Sequence, residues 1–254
     1  MKIRITLLIA ILTALASAAF AQTAPDTVAK PAPAVKLPAA QEVVAKYVKA
    51  IGGREAIEKI KSRTTTGTVE MSPMGLKGTF ETVAAAPDRS LAKLTLGGIG
   101  DMFEGYDGTV AWSVNPIQGS RDKSGTELLQ TKVTNDFYRD IRLEKIYPKM
   151  TVTGIEKVGD KDAHVVRAEP VGLNADMLYF DVDSGLLVRV DSELVSPVGT
   201  QKARTFYDEY KPFDGVMIPT KTRTVLPQVE VTMTVTDAKS NTPVDQARFA
   251  KPKV

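Results

Sequence analysis

The chain has 254 residues and a nearly balanced charge, with 33 Lys or Arg, 30 Asp or Glu and no cysteine. A formal net charge of +3 gives no support for a nucleic-acid partner. The lack of cysteine excludes disulfides, thiol-based catalysis and the lipid anchor of a lipoprotein. We therefore expect a soluble, unanchored domain that is held together by its apolar core.

The N-terminus predicts a secretory signal peptide over residues 1–21. Lys2 and Arg4 precede the apolar run Ile5–Ala16, and the small-x-small triplet Ala19-Phe20-Ala21 follows it. The run is shorter than the roughly 20 residues that span a bilayer, which argues against a retained anchor. We expect the mature protein in the periplasm.

Composition divides the rest of the chain into three parts. Residues 22–38 are mostly Ala, Pro, Thr and Lys and predict an extended, flexible leader. Residues 39–250 carry helix and strand patterns without a second domain boundary, and residues 251–254 form a tail.

Three helices are predicted. The first begins at Ala39, because Val44, Val48 and Ile51 recur at helical spacing, and it stops at Gly52-Gly53. A second spans Arg54–Lys61. After a Gly-, Ser- and charge-rich loop over residues 117–125, the third spans Thr126–Tyr138.

About a dozen strands are predicted, joined by short turns that favour antiparallel pairing. Asp107-Gly108 is the strongest hairpin signal, and Trp112, the only tryptophan, follows it. So wide a sheet curls, and three helices are too few to cover it. We therefore predict a mainly β fold, a large curled antiparallel sheet or incomplete barrel with a few helices on its concave side. The predicted strands are Ser62–Met71, Leu76–Ala86, Ser90–Leu96, the hairpin Met102–Pro116, Thr151–Val158, Ala163–Ala168, Met177–Val182, Leu186–Ser192, Ala203–Lys211, Val216–Thr224 and Val229–Asp237.

A concave face without enough covering helices predicts an apolar cavity. Bulky side chains on the strands are the candidates to line it and to bind an apolar ligand. They are Phe80, Leu94, Leu96, Phe103, Trp112, Met177, Tyr179 and Phe206.

Catalytic and metal-binding patterns are missing from the sequence. The single histidine, His164, lies between Ala163 and Val165 in a strand, and no hydrolase, zinc-protease or phosphate-loop motif occurs. Asp181-Val182-Asp183-Ser184-Gly185 begins like a calcium loop but lacks the later ligands, so a hairpin turn explains it better. We expect no enzyme activity, no catalytic residue, no metal and no cofactor.

Several motifs resemble, in order, the periplasmic lipoprotein carriers of the LolA type. They are Ala85-Ala86-Pro87-Asp88, the hairpin Tyr106-Asp107-Gly108-x-x-x-Trp112 with Asn115-Pro116, Leu178-Tyr179-Phe180-Asp181-Val182 before Asp183-Ser184-Gly185, and Val244-Asp245-Gln246-Ala247-Arg248-Phe249. The resemblance covers most of residues 40–250. It implies an incomplete antiparallel barrel that holds acyl chains or another lipid beneath helices at its mouth.

Two departures from that family bear on the cargo. The lipoprotein carriers have an arginine where this chain has Ala86, and they continue with a further segment after the position of Phe249. We therefore predict a monomeric periplasmic carrier or binding protein for a lipid or another apolar ligand, with a membrane protein complex as a further candidate partner. The alternative is a non-catalytic envelope adaptor that docks a protein partner through its sheet edge or helices.

Overall fold

The computed structural model describes residues 36–197 and 199–252. The predicted signal peptide and nearly all of the predicted leader lie outside the described residues. None of the helices in the described part of the chain has both the length and the apolar character that crossing a bilayer requires.

The described residues form thirteen strands, four α-helices and two 3-10 turns. The helices are α1 (Ala40–Ala50), α2 (Arg54–Lys59), α3 (Gly125–Thr134) and α4 (Leu143–Ile146), and the 3-10 turns are Arg139–Ile141 and Gln246–Phe249. The strands are β1 (Ser62–Ser72), β2 (Leu76–Ala85), β3 (Arg89–Leu96), β4 (Gly100–Tyr106), β5 (Ala111–Asn115), β6 (Gly119–Asp122), β7 (Lys149–Val158), β8 (Lys161–Glu169), β9 (Asp176–Asp181), β10 (Leu187–Ser196), β11 (Gly199–Phe213), β12 (Val216–Val225) and β13 (Glu230–Ser240).

All thirteen strands belong to one antiparallel sheet that does not close into a barrel. Two meanders, β1 to β6 and β7 to β13, are joined where β1 pairs with β13, so that β6 and β7 are the two edges. The prediction of a large curled antiparallel sheet with few helices is confirmed.

The strand register assigns each side chain to one of two faces, because directly opposed residues point the same way. We call the face that packs against α1 the inner face and the opposite one the outer face. Val43, Val44 and Tyr47 of α1 pack against inner-face residues of β8 to β10, and the Tyr47 and Phe180 ring centroids lie 5.3 Å apart. The helical core therefore covers one end of the inner face.

The Asp107-Gly108 turn has the chemistry that the sequence predicts. Asp107 Oδ1 accepts hydrogen bonds from the backbone N–H groups of Thr109 and Val110, at 2.8 Å each. Gly108 has a φ of +99°, which a side chain would disfavour. The turn places Trp112 and Val114 beside Phe103 of β4 on the outer face.

The structure contains three short helical elements that were not predicted, α4 and the two 3-10 turns, and two further regions differ from their predictions. Residues 119–122, within the predicted loop, form the short edge strand β6, which pairs with β5. The third helix ends at Thr134 instead of Tyr138, because Asp136 Oδ1 accepts from the Tyr138 N–H at 2.9 Å and the chain turns into the 3-10 turn.

Candidate functional site

A cavity of about 950 Å³ lies on the inner face between α3 and the sheet. Inner-face residues of β10 and β11 line it, together with the segment that joins β8 to β9. Its volume is that of a typical small-molecule site, about 300–1,000 Å³. Apolar groups such as Val190 and Leu194 alternate with polar groups such as Thr205 and Tyr207. The cavity is therefore suited to a ligand with both apolar and polar parts.

Helix α3 forms one wall of the cavity and is held from both sides. Arg121 of β6 makes two 2.7 Å hydrogen bonds to the Glu127 carboxylate, which lower the pKa of Glu127. On the other side, the Gln130 amide donates to the Glu193 carbonyl at 2.5 Å and accepts from the Val195 N–H at 3.0 Å. These contacts connect α3 to β6 and to β10.

A polar chain of three side chains lies at the floor of the cavity. Arg139 Nη2 donates to the Tyr147 hydroxyl at 2.8 Å, and that hydroxyl donates to Asp176 Oδ2 at 2.7 Å. Burial raises the pKa of both Tyr147 and Asp176. The Tyr147 hydroxyl therefore stays protonated and remains a donor at neutral pH.

Next to the cavity, the inner face carries a half-buried apolar surface that we call the trough. Its residues come from β1, β3, β4 and β13, and they surround the buried side chains of Val69, Phe80 and Leu96. This cluster contains strand residues and one turn residue, Ile99, and no helix residue. The trough residues are Met71, Leu94, Met102, Val231, Met233 and Val235.

The trough and the cavity lie on one continuous surface. Thr205 and Tyr207, which line the cavity, are opposite Thr224 and Thr222 of β12. Those threonines are in turn opposite Val231 and Met233 of β13. Since neighbouring strands are about 4.8 Å apart, the trough begins about 10 Å from these cavity-lining residues of β11.

The eight residues predicted to line the cavity do not come together at one surface. Phe80, Leu94 and Leu96 lie on the inner face, in and beneath the trough. The other five lie on the outer face: Phe103 and Trp112 in one cluster, Met177 and Tyr179 in another, and Phe206 opposite Arg189.

On the outer face, arginines cover two of these aromatic rings. Tyr179, Arg189, Phe206 and Arg223 are successive cross-strand partners on β9 to β12. The Arg189 guanidinium lies 4.2 Å from the Tyr179 ring centroid, and that of Arg223 lies 4.1 Å from the Phe206 centroid. Stacked arginines shield an aromatic face from water, so the two rings are covered by charged side chains.

Trp112 is fully buried on the outer face beneath the C-terminal segment. Its indole N–H donates to the Phe249 carbonyl at 2.9 Å, and Phe249 is itself fully buried. A Cβ at Gly105 would overlap the indole ring, so the close approach of the ring requires a glycine. The segment from Val244 to Phe249 therefore covers part of the outer face, whereas the helices cover part of the inner face.

Sequence reasoning missed the polar floor. Arg139 belongs to a 3-10 turn, Tyr147 follows α4 and Asp176 begins β9, and no local pattern marks any of them. The one available signal is the concentration of Arg, Asp and Tyr in residues 136–147. The predicted third helix included only the first three of these residues.

The described residues contain no group of three or more His, Asp or Glu side chains that could hold a metal ion. Burial lowers the pKa of His164, and its buried Nδ1 has no hydrogen-bond partner among the described residues.

Comparison with known proteins finds this architecture among solved structures. No protein-family model and no curated protein matches the chain. Solved structures match it over most of its length, with identities that establish the fold alone.

A LolA superfamily protein from Nitrosomonas europaea matches with a TM-score of 0.56 and 13% identity, over 85% of this chain and 99% of that one. A DUF1329 family protein from Desulfovibrio piger matches with a TM-score of 0.57 and 13% identity, over 83% of this chain and 96% of that one. A putative outer membrane lipoprotein-sorting protein domain from Vibrio parahaemolyticus matches with a TM-score of 0.50 and 11% identity, over 83% of this chain and 94% of that one. The chain therefore has a LolA-like fold, and the resemblance seen in its motifs is confirmed at that level.

Proposed function

We propose that this protein is a periplasmic carrier or binding protein for a lipid, which it holds on the inner face of its sheet. One observation carries the proposal: the half-buried trough of Met, Leu and Val side chains opens beside a cavity of about 950 Å³. The LolA-like fold supports it, as does the predicted signal peptide.

The trough suits a flexible chain. Each methylene that leaves water for an apolar surface gains about 0.8 kcal/mol. Met71, Met102 and Met233 are unbranched and polarisable, so they adapt to chains of different shape. Binding of this kind needs no catalytic group, and we propose that the protein is a monomer without enzyme activity.

We propose a lipid rather than a lipoprotein as cargo. The structure has Ala86 packed against the helical core at the position where the lipoprotein carriers have an arginine. A methyl group there cannot supply the charged contacts of that arginine to a lid. A membrane protein complex that delivers or receives the lipid remains part of the proposal.

The test compares two substitutions to glutamate at adjacent positions of β13, one on each face of the sheet. Met233→Glu puts a charge in the trough, whereas Thr234→Glu puts the same charge on the outer face opposite Lys221. Palmitate and hexadecanol binding to the delipidated mature chain is measured by calorimetry. We expect Met233→Glu to weaken binding at least about tenfold, or about 1.4 kcal/mol, and Thr234→Glu to change it little.

Circular dichroism and thermal melting establish that both variants are folded. Equal binding by the two folded variants would show that the trough is not the lipid site. If the wild-type chain binds neither probe, the adaptor that docks a protein partner becomes the better explanation.

A further inference from the structure

One cation in the cavity has no carboxylate partner. Arg121 is paired with Glu127 at 2.7 Å, and Lys123 with Glu104 at 3.0 Å. In residues 36–197 and 199–252, no carboxylate oxygen lies within 4.0 Å of the Arg139 guanidinium. Its Nη2 donates to Tyr147, but its Nε is buried without any hydrogen-bond partner.

The two nearby carboxylates are engaged elsewhere. Asp140 accepts from the Tyr47 hydroxyl at 3.0 Å, and Asp176 accepts from the Tyr147 hydroxyl at 2.7 Å. Burial raises the pKa of Asp176, whereas its hydrogen bond from Tyr147 and the charge of Arg139 act in the opposite direction. A guanidinium that is removed from water without a paired anion loses several kcal/mol of solvation. The buried Arg139 Nε–H therefore still lacks an acceptor among the residues that the structure describes, and the guanidinium lacks a directly paired anion there.

We propose that Arg139 binds the anionic head group, a carboxylate or phosphate, of an amphipathic lipid whose chain lies in the trough. This inference rests on the proposed function and names the class of lipid.

The position of Arg139 supports this orientation. It lines the same cavity as Tyr207, and the register leads from Tyr207 through Thr222 to Met233 of the trough. The Thr205 and Thr224 hydroxyls are hydrogen-bonded to each other at 3.1 Å along the neighbouring row. A ligand with its head at Arg139 thus crosses a short polar stretch before its chain reaches apolar side chains.

Three probes of equal chain length test the proposal: palmitate, methyl palmitate and hexadecanol. We expect the delipidated mature chain to bind palmitate about tenfold more tightly than either neutral probe, the gain of one charge-assisted hydrogen bond. Arg139→Gln should remove this preference and leave hexadecanol affinity nearly unchanged. Arg204→Gln, an exposed outer-face arginine, is the matched control and should keep the preference.

Acetate and inorganic phosphate, added as competitors, identify the source of the anion. We expect neither anion to displace palmitate when the ionic strength is held constant. Displacement by either would show that the site takes free anions and would overturn the lipid head group as its ligand.

The outcomes separate the two proposals. Equal wild-type affinity for palmitate and hexadecanol would overturn the head-group inference and leave lipid binding intact, whereas no binding of any probe would contradict the proposed function. A folded Arg139→Gln variant that keeps the preference would also overturn the inference. If Arg139→Gln does not fold, Arg139→Lys replaces it, because this variant keeps the positive charge and lacks the Nε–H. The comparison of the three probes on the wild-type chain then still tests the head-group inference.

Discussion

At the scale of single residues, the turn between β9 and β10 depends on one buried carboxylate. Asp181 is 5% exposed, and its Oδ1 accepts from the Ser184 N–H and hydroxyl at 2.6 Å each. Burial alone would raise the pKa of Asp181, but these hydrogen bonds outweigh it and lower the pKa. An acid whose pKa is lowered by folding stabilises the fold while it is ionised.

We therefore expect Asp181→Asn to lower the free energy of unfolding in a pH-dependent way. The contribution of the wild-type carboxylate is complete above its unfolded pKa of about 3.9 and is lost as the pH falls through the lowered folded value. Urea unfolding at a series of pH values measures the difference, which should shrink towards acid pH. Asp183→Asn, in the exposed part of the same turn, is the control, and a difference constant with pH would contradict the assignment.

Turn residues could be predicted from the sequence because their chemistry is local. The Asp107-Gly108 and Asp183-Ser184-Gly185 turns depend on contacts within three residues. The cavity floor could not be predicted, because Arg139 and Tyr147 are 8 residues apart and Tyr147 and Asp176 are 29 apart. Only the completed fold brings these side chains together.

At the scale of elements, α3 compensates for a mismatch in strand length. β10 continues beyond β9, whose pairing with it ends at Asp191 and Met177. The Gln130 amide contacts the main chain of Glu193 and Val195 beyond that point and takes the place of a neighbouring strand. None of the α3 side chains is fully buried, so these polar contacts carry much of its attachment.

We expect Gln130→Ala to loosen α3 and the end of β10 at a loss of about 1 kcal/mol in the free energy of unfolding. Hydrogen–deuterium exchange should become faster at Val195 and through α3, with the β1 to β4 meander unaffected. Lys132→Ala, at an exposed position of the same helix, is the control. Unchanged exchange at Val195 in the Gln130 variant would show that the amide does not hold this edge.

The sequence predicts most of the strands, but it does not always predict which face of the sheet a side chain occupies. Arg204-Thr205-Phe206-Tyr207 has an aromatic residue on each face of β11, so alternation alone cannot choose between them. The packed structure places Tyr207 in the helical core and Phe206 under Arg223. β6 escaped prediction because a short edge strand pairs on one side only and needs no apolar pattern.

At the scale of the whole molecule, the two faces have separate coverings. The inner face carries the helical core at one end and the trough and cavity beside it. The outer face has its arginine row in one half and the C-terminal segment over Trp112 in the other. Arg248 of that segment pairs with Glu81 at 3.0 Å, and Lys251, just after it, pairs with Asp122 at 2.7 Å.

Trp112 should therefore report on the C-terminal segment and not on lipid in the inner cavity. Phe249→Ala removes a fully buried ring beside the indole, and we expect a loss of about 3–5 kcal/mol and a shift of Trp112 emission to longer wavelength. The variant that remains folded should bind palmitate with nearly wild-type affinity. In the wild-type chain, saturating palmitate should leave the emission unchanged. A palmitate-induced shift as large as that of Phe249→Ala would show that the faces are coupled, because the sheet backbone lies between Trp112 and the trough.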